Sequence, residues 1–130
     1  MSQTYIPKSL RNLVLERAEN RCEYCRISQL NSFIPHEIDH IISEQHKGET
    51  IAENLGLACY DCNRFKGPNL SSYDHETKEI VRLFNPRFDH WGEHFTLAHF
   101  HVIPLTQIGK VTISLLQMNR EKQIMRRSAG

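Results

Sequence analysis

Residues 53–67, "ENLGLACYDCNRFKG", decide the fold. Leu55 to Ala58 is a short apolar run of strand length. Cys59 and Cys62 follow, two residues apart, the spacing at which one tight turn points two thiolates at one ion. Residues 60–66 then start a short helix, which Gly67-Pro68 stops. Strand, knuckle and helix run on without a linker, so the stretch predicts a compact metal-anchored unit.

Its partner lies upstream. Cys22 and Cys25 repeat the spacing, with 33 residues between the two pairs. Four thiolates in two knuckles make a closed structural zinc site. Disulfides and core cysteines are the other readings. A reduced compartment argues against the first, and the doubled spacing argues against chance. The chain has no apolar run long enough to cross a bilayer, and we expect a cytoplasmic protein. With 130 residues, 39% of them hydrophobic, we expect one domain whose modest core would gain from a metal staple.

Between the knuckles lies "EIDHII", residues 37–42, within a strand expected over 36–42. Asp39 offers a charged oxygen to a hard divalent cation such as Mg²⁺ or Mn²⁺, and Asn63, on the short helix, a neutral one. His40 is a natural general base for a water near neutral pH. Metal, base and cations around a phosphate suit phosphodiester hydrolysis. Net charge is only +1, so any nucleic-acid face must be local. Arg21, Arg26, Arg64 and Lys66, with Arg11, flank the site in sequence and are the expected phosphate contacts.

The order Asp39-His40-Ile41-Ile42, Glu53-Asn54-Leu55, Cys59-Tyr60-Asp61-Cys62-Asn63, Lys66-Gly67 resembles the HNH endonuclease motif, in the version with Asn for the last His. The interleaved CxxC pairs resemble its zinc-knuckle branch. The resemblance covers residues 10–68 and implies a ββα-metal core cutting DNA to 5′-phosphate and 3′-hydroxyl ends. It implies that Asp39 and Asn63 hold the catalytic divalent ion, that His40 activates water, and that Asn54 bonds backbone to hold the loop orienting His40. Ser43 stands where many relatives have Pro, and Gly48 is single where they often have two. Glu37 shares a strand face with Asp39 and either orients a neighbouring base or arginine or is an exposed acid. His46 either touches substrate or is solvated.

Neighbours on a regular strand point to opposite faces. For Asp39 and His40 to serve one phosphate, we expect the strand to be distorted or to end there.

At the start of this core, about residues 8–70, we expect a helix over 8–20 with Leu10, Leu13, Val14 and Ala18 inward and Ser9 as cap. Residues 71–130 form an extension: two short strands in 73–84, a loop over 85–95, one strand over 96–105 and a helix over 106–119. Ile108, Val111, Leu115 and Met118 share one side of that helix. The basic end, with Arg120, Lys122, Arg126 and Arg127, is a second helix or a frayed tail, and either holds DNA or is solvated. His90, His94, His99 and His101 suggest packing or surface roles before a second metal site. A non-catalytic zinc module binding nucleic acid or protein is the rival reading. A cysteine redox protein is weaker, because four zinc-bound thiols are blocked.

Overall fold

The computed structural model describes residues 4–129. It is a small α+β structure of five helices and three antiparallel strand pairs among those residues. Helix α1 (Lys8–Ala18) follows Pro7, whose carbonyl accepts from the Leu10 and Arg11 amides. Ser9 lies inside the helix and is not its cap. The helix stops two residues short of expectation because Glu19 and Asn20 both turn into the left-handed region, where the Asn20 amide closes back on the Leu15 carbonyl. Val14 and Ala18 are buried, but Leu13 is 42% exposed, and Leu15 packs inward in its place.

Strand β1 (Glu37–His40) pairs with β2 (Leu55–Ala58), and α2 (Tyr60–Lys66) follows. β1 is shorter than the predicted 36–42 because side-chain amides take over at both ends. The His36 amide donates to Gln29 Oε1 at 2.9 Å. The Ile42 amide and carbonyl both bond the Asn54 side chain at 2.9 Å. Leu55 and Leu57 meet Ile6, Val14 and Ala18 in one apolar cluster. The Cys59 sulfur caps α2, accepting from the Cys62 amide.

Strands β3 (Ser71–Asp74) and β4 (Glu79–Arg82) form the expected hairpin. Within the predicted loop, α3 (Trp91–His94) makes a single turn. The single strand expected over 96–105 is a hairpin, β5 (Phe95–Ala98) and β6 (His101–Pro104). Its turn residues, His99 and Phe100, both have positive φ, the geometry that Asn-Gly usually signals, so the sequence concealed it. His99 therefore sits in the turn and shares no strand face with His101.

Helix α4 (Gln107–Leu116) is capped by Thr106, whose hydroxyl accepts from the Gly109 amide. Val111, Thr112 and Leu116 are its most buried face, while Ile108 and Leu115 are partly covered; Met118 is buried just beyond its end. Gly109 is required there, since a Cβ would lie 2.2 Å from the His94 carbonyl oxygen. The chain closes in a second helix, α5 (Glu121–Ala129). Phe84, Phe95, Val102, Leu116 and Met118 from this half share one core cluster with the four cysteines, Tyr24 and Ile27.

Candidate active site and zinc cluster

Cys22, Cys25, Cys59 and Cys62 are all buried, with their sulfurs within 4.8 Å of one another. Four thiolates about 2.3 Å from a tetrahedral zinc lie about 3.8 Å apart; Cys25 Sγ and Cys59 Sγ are 3.7 Å apart. Each knuckle turns an amide onto its own sulfur, Cys25 N to Cys22 Sγ and Cys62 N to Cys59 Sγ, both at 3.4 Å. Gln123 of α5, fully buried, adds an N–H to Cys59 Sγ at 3.8 Å. The donor set and its size fit a zinc ion, held where α2 begins. Glu23, between the first two cysteines, ties this knuckle to β2: its amide donates to the Leu57 carbonyl and its Oε2 accepts from the Leu57 amide, both at 2.8 Å.

Beside the cysteine cluster lies a cleft of about 940 Å³. Glu37, Ile38, Asp39 and His40 all line it, with Arg11 and Leu15 from α1 and Asn63 and Arg64 from α2. The β1–β2 ladder is regular through both central residues, pairing Asp39 with Gly56 and His40 with Leu55. Of the two expected outcomes, distortion is absent and the strand instead ends at His40. Alternate faces still share one cleft, because the sheet has only two strands and β1 keeps a free edge. A cleft along that edge receives side chains from both faces.

The two faces are wired differently. On the face toward α2, Asp39 Oδ2 accepts from Tyr24 OH at 3.0 Å and lies 3.3 Å from Lys66 Nζ. Lys66 also donates to the Ile41 carbonyl at 3.0 Å. Burial raises the Asp39 carboxyl above the usual range, and Lys66 is the strongest opposing influence. With Oδ2 held, Oδ1 remains for a ligand. One strand step away, Asn63 Nδ2 donates to Glu37 Oε1 at 2.7 Å, and Arg64 Nη1 meets the same oxygen at 3.0 Å. Asn63 therefore turns its amide nitrogen onto Glu37, leaving its Oδ1 for a ligand. Two oxygen donors facing one cleft suit a hard divalent ion that keeps several waters.

On the other face, His40 Nε2 is 2.9 Å from Thr50 Oγ1. Asn54, buried, bonds the amide and the carbonyl of Ile42, and its Nδ2 also donates to the Glu49 carbonyl at 2.9 Å. The 43–54 loop is thereby closed onto the end of β1. Gly48 is the residue this closure requires, because a Cβ there would lie 1.6 Å from the Ile42 oxygen.

The expected basic face is only partly found. Lys66 is 2% exposed and turned inward. Arg64 is exposed at the cleft and stacks on Tyr60, 4.2 Å from its ring centre. Arg26 lies over Trp91 at 4.7 Å, and Arg21 Nη1 donates to the Arg26 carbonyl. Arg120, Lys122 and Arg126 gather around Asp61 of α2, and the buried Arg127 binds the Met118 and Phe100 carbonyls. The basic end thus packs on the zinc unit. His46 is exposed in the Glu44–His46 turn. Among the described residues, the four cysteines are the one group of three or more potential His, Cys, Asp or Glu metal ligands, so the later histidines form no second site of that kind.

Three cleft features escaped sequence reading: Tyr24 on Asp39, Thr50 on His40, and His36. His36 Nε2 is 2.9 Å from the Ile27 carbonyl, which fixes the proton on that nitrogen. Its Nδ1 is buried without a partner, and the residue lines the cleft. Tyr24 had a sequence signal, its place inside the first knuckle. Thr50 and His36 had none.

No curated protein and no solved structure matches the chain. The family model for HNH endonucleases matches residues 22–69, from the first knuckle cysteine to just past α2. That match points to a nuclease-type function, and the clustered CxxC pairs are consistent with the zinc-knuckle branch. Over residues 22–69 the chain is thus similar to the HNH endonuclease family.

Proposed function

We propose that the protein is a metal-dependent endonuclease that hydrolyses DNA phosphodiester bonds. The carrying observation is that Asp39, His40 and Asn63 line one cleft within the family-matched segment. His40, steadied through Nε2 by Thr50, takes the proton of the attacking water at Nδ1. Asp39 Oδ1 and Asn63 Oδ1 hold a divalent ion, Mg²⁺ or Mn²⁺. When bound, that ion neutralises charge on the phosphate and on the leaving 3′ oxygen. Tyr24 and Lys66 position Asp39, and Glu37 positions Asn63. Asn54 fixes the loop behind His40. Arg64 and Arg11, at the cleft, and Arg21 and Arg26 beyond it, meet flanking phosphates. Zinc is structural, and residues 71–130 cover the zinc unit within one domain. No helix of the described residues is long and apolar enough to cross a membrane; a cytoplasmic setting fits reduced, zinc-binding thiols.

The test is plasmid cleavage with Mg²⁺ or Mn²⁺, comparing the protein with His40→Ala. Loss of cleavage in the variant is expected; equal cleavage by both removes His40 from the mechanism. One observation favours the rival, a zinc module that binds without cutting: Asp39 is already paired to Lys66. That reading predicts DNA binding with no dependence on a second metal.

A further inference from the structure

Residues 28–35, "SQLNSFIP", stand between the cleft and the basic end of the chain. Both stems of this loop face the cleft: Gln29 and His36 line it and are tied together by the His36 amide. Helix α5 packs against the Gln29–Asn31 turn. The tip carries Leu30 at 92% and Phe33 at 100% exposure, with Ile34 at 48%. Three large apolar side chains exposed within five residues form a patch, the kind of surface that marks an interaction site. On the far side, Ser32 and Ile34 share a small hollow with Lys122 and Arg126. There three cations, Arg120, Lys122 and Arg126, surround the single carboxylate of Asp61, which leaves the patch positive.

We infer that this loop is a wedge that enters the base stack of duplex DNA lying across the cleft. The inference rests on the proposed nuclease reading. A duplex is far wider than the cleft, so one seated on Asp39 and His40 must run out over neighbouring surface. The loop that borders the cleft presents apolar tips, and the surface behind it presents cations for the phosphates. One aromatic flanked by branched aliphatic chains has the composition of a wedge, whereas single-strand platforms spread several aromatic rings over a surface. Insertion would unstack one step and bend the duplex, and α5 would follow the displaced backbone.

The experiment uses zinc-loaded full-length His40→Ala protein and duplexes carrying 2-aminopurine at successive steps. Binding is expected to raise fluorescence severalfold at one step. Adding Phe33→Ala or Leu30→Ala, which removes exposed side chains only, is expected to abolish most of that rise and weaken duplex binding about tenfold. Phe33→Leu should restore much of it. If DNA binds but no step unstacks, or unstacking survives Phe33→Ala, the wedge is wrong while the nuclease reading stands. If the exposed tips instead hold two copies together, sedimentation will show a dimer that Phe33→Ala splits, and the wedge is again overturned. If the protein neither binds nor cuts DNA, both readings fall.

Discussion

Asp39 and Lys66 form a buried ion pair at the wall of the cleft, Nζ to Oδ2 at 3.3 Å with side chains 7% and 3% exposed. Removing one member of such a pair leaves a buried charge without compensation. Lys66→Met should therefore destabilise the fold by about 3–5 kcal/mol, read as a lower urea midpoint. Lys66→Met with Asp39→Asn, which removes both charges, should recover a large part of the loss. Additive losses in that cycle would mean that the pair is not coupled.

Asn54 makes three hydrogen bonds that together close the 43–54 loop onto β1. Asn54→Ala leaves a part-buried amide and two carbonyls without these partners, at about 2–4 kcal/mol. Gly48→Ala attacks the same closure through backbone, because its Cβ would overlap the Ile42 oxygen. Both variants should lose DNA cleavage while the zinc cluster stays loaded, measured as zinc per protein. Full cleavage by Gly48→Ala would show that the closure is dispensable.

Thr50 touches the proposed base and nothing on the proposed metal. Thr50→Val keeps the shape but removes the hydroxyl that holds His40 Nε2. The expected result is a 10- to 100-fold lower kcat, on the order of what lost orientation costs, with KM unchanged. Thr50→Ser should restore it. A change in KM alone would place Thr50 in binding.

What was legible beforehand divides along physical lines. The knuckle spacing and the apolar run of β2 were readable because each is a local pattern tied to one geometry: β2 and α2 lie at the predicted residues 55–58 and 60–66. The β5–β6 hairpin was not, because His99-Phe100 adopts a turn that its residue types disfavour, so only tertiary packing specifies it. In the cleft, the residue types of Asp39, His40 and Asn63 singled them out. Their neighbours did not, since Tyr24 lies 15 positions from Asp39 and Lys66 meets the Ile41 carbonyl 25 positions away. Lys66 looked like a surface cation for the same reason: sequence gives a charge without its direction. The strand paradox dissolved through topology, because a free edge was not visible until β1 was known to have one partner.

Asp89 should set part of the acid stability. Its carboxylate takes both Arg82 nitrogens at 2.8 and 2.9 Å and the Asn85 amide at 2.9 Å. These contacts, Arg82 first, hold its carboxyl below the usual range. Asp74, held mainly by Lys110, is lowered too. A depressed carboxyl stabilises the fold above its unfolded value, about pH 3.9, and loses that contribution as pH falls through the lower folded value. Asp89→Asn should therefore cost about 2 kcal/mol near neutral pH, with the gap to the parent narrowing below about pH 4. A gap that widens in acid would contradict the assigned direction.

Zinc removal tests the core as a whole. The cysteine cluster lies in the same apolar cluster as Phe84, Phe95, Leu116 and Met118, so losing the ion should loosen both halves of the chain together. A chelator should lower the thermal midpoint steeply and collapse near-ultraviolet ellipticity from Trp91, whose indole donates to the Tyr24 carbonyl at 2.8 Å. Gln123→Ala removes the α5 contact to Cys59 together with the bond that Arg126 donates to Gln123 Oε1. It should speed zinc loss to a chromogenic chelator about 10-fold, within the range for lost contacts around metal ligands, and leave the fold of the loaded protein in place. A protein stripped of zinc that keeps its midpoint would leave the four cysteines as ordinary core residues.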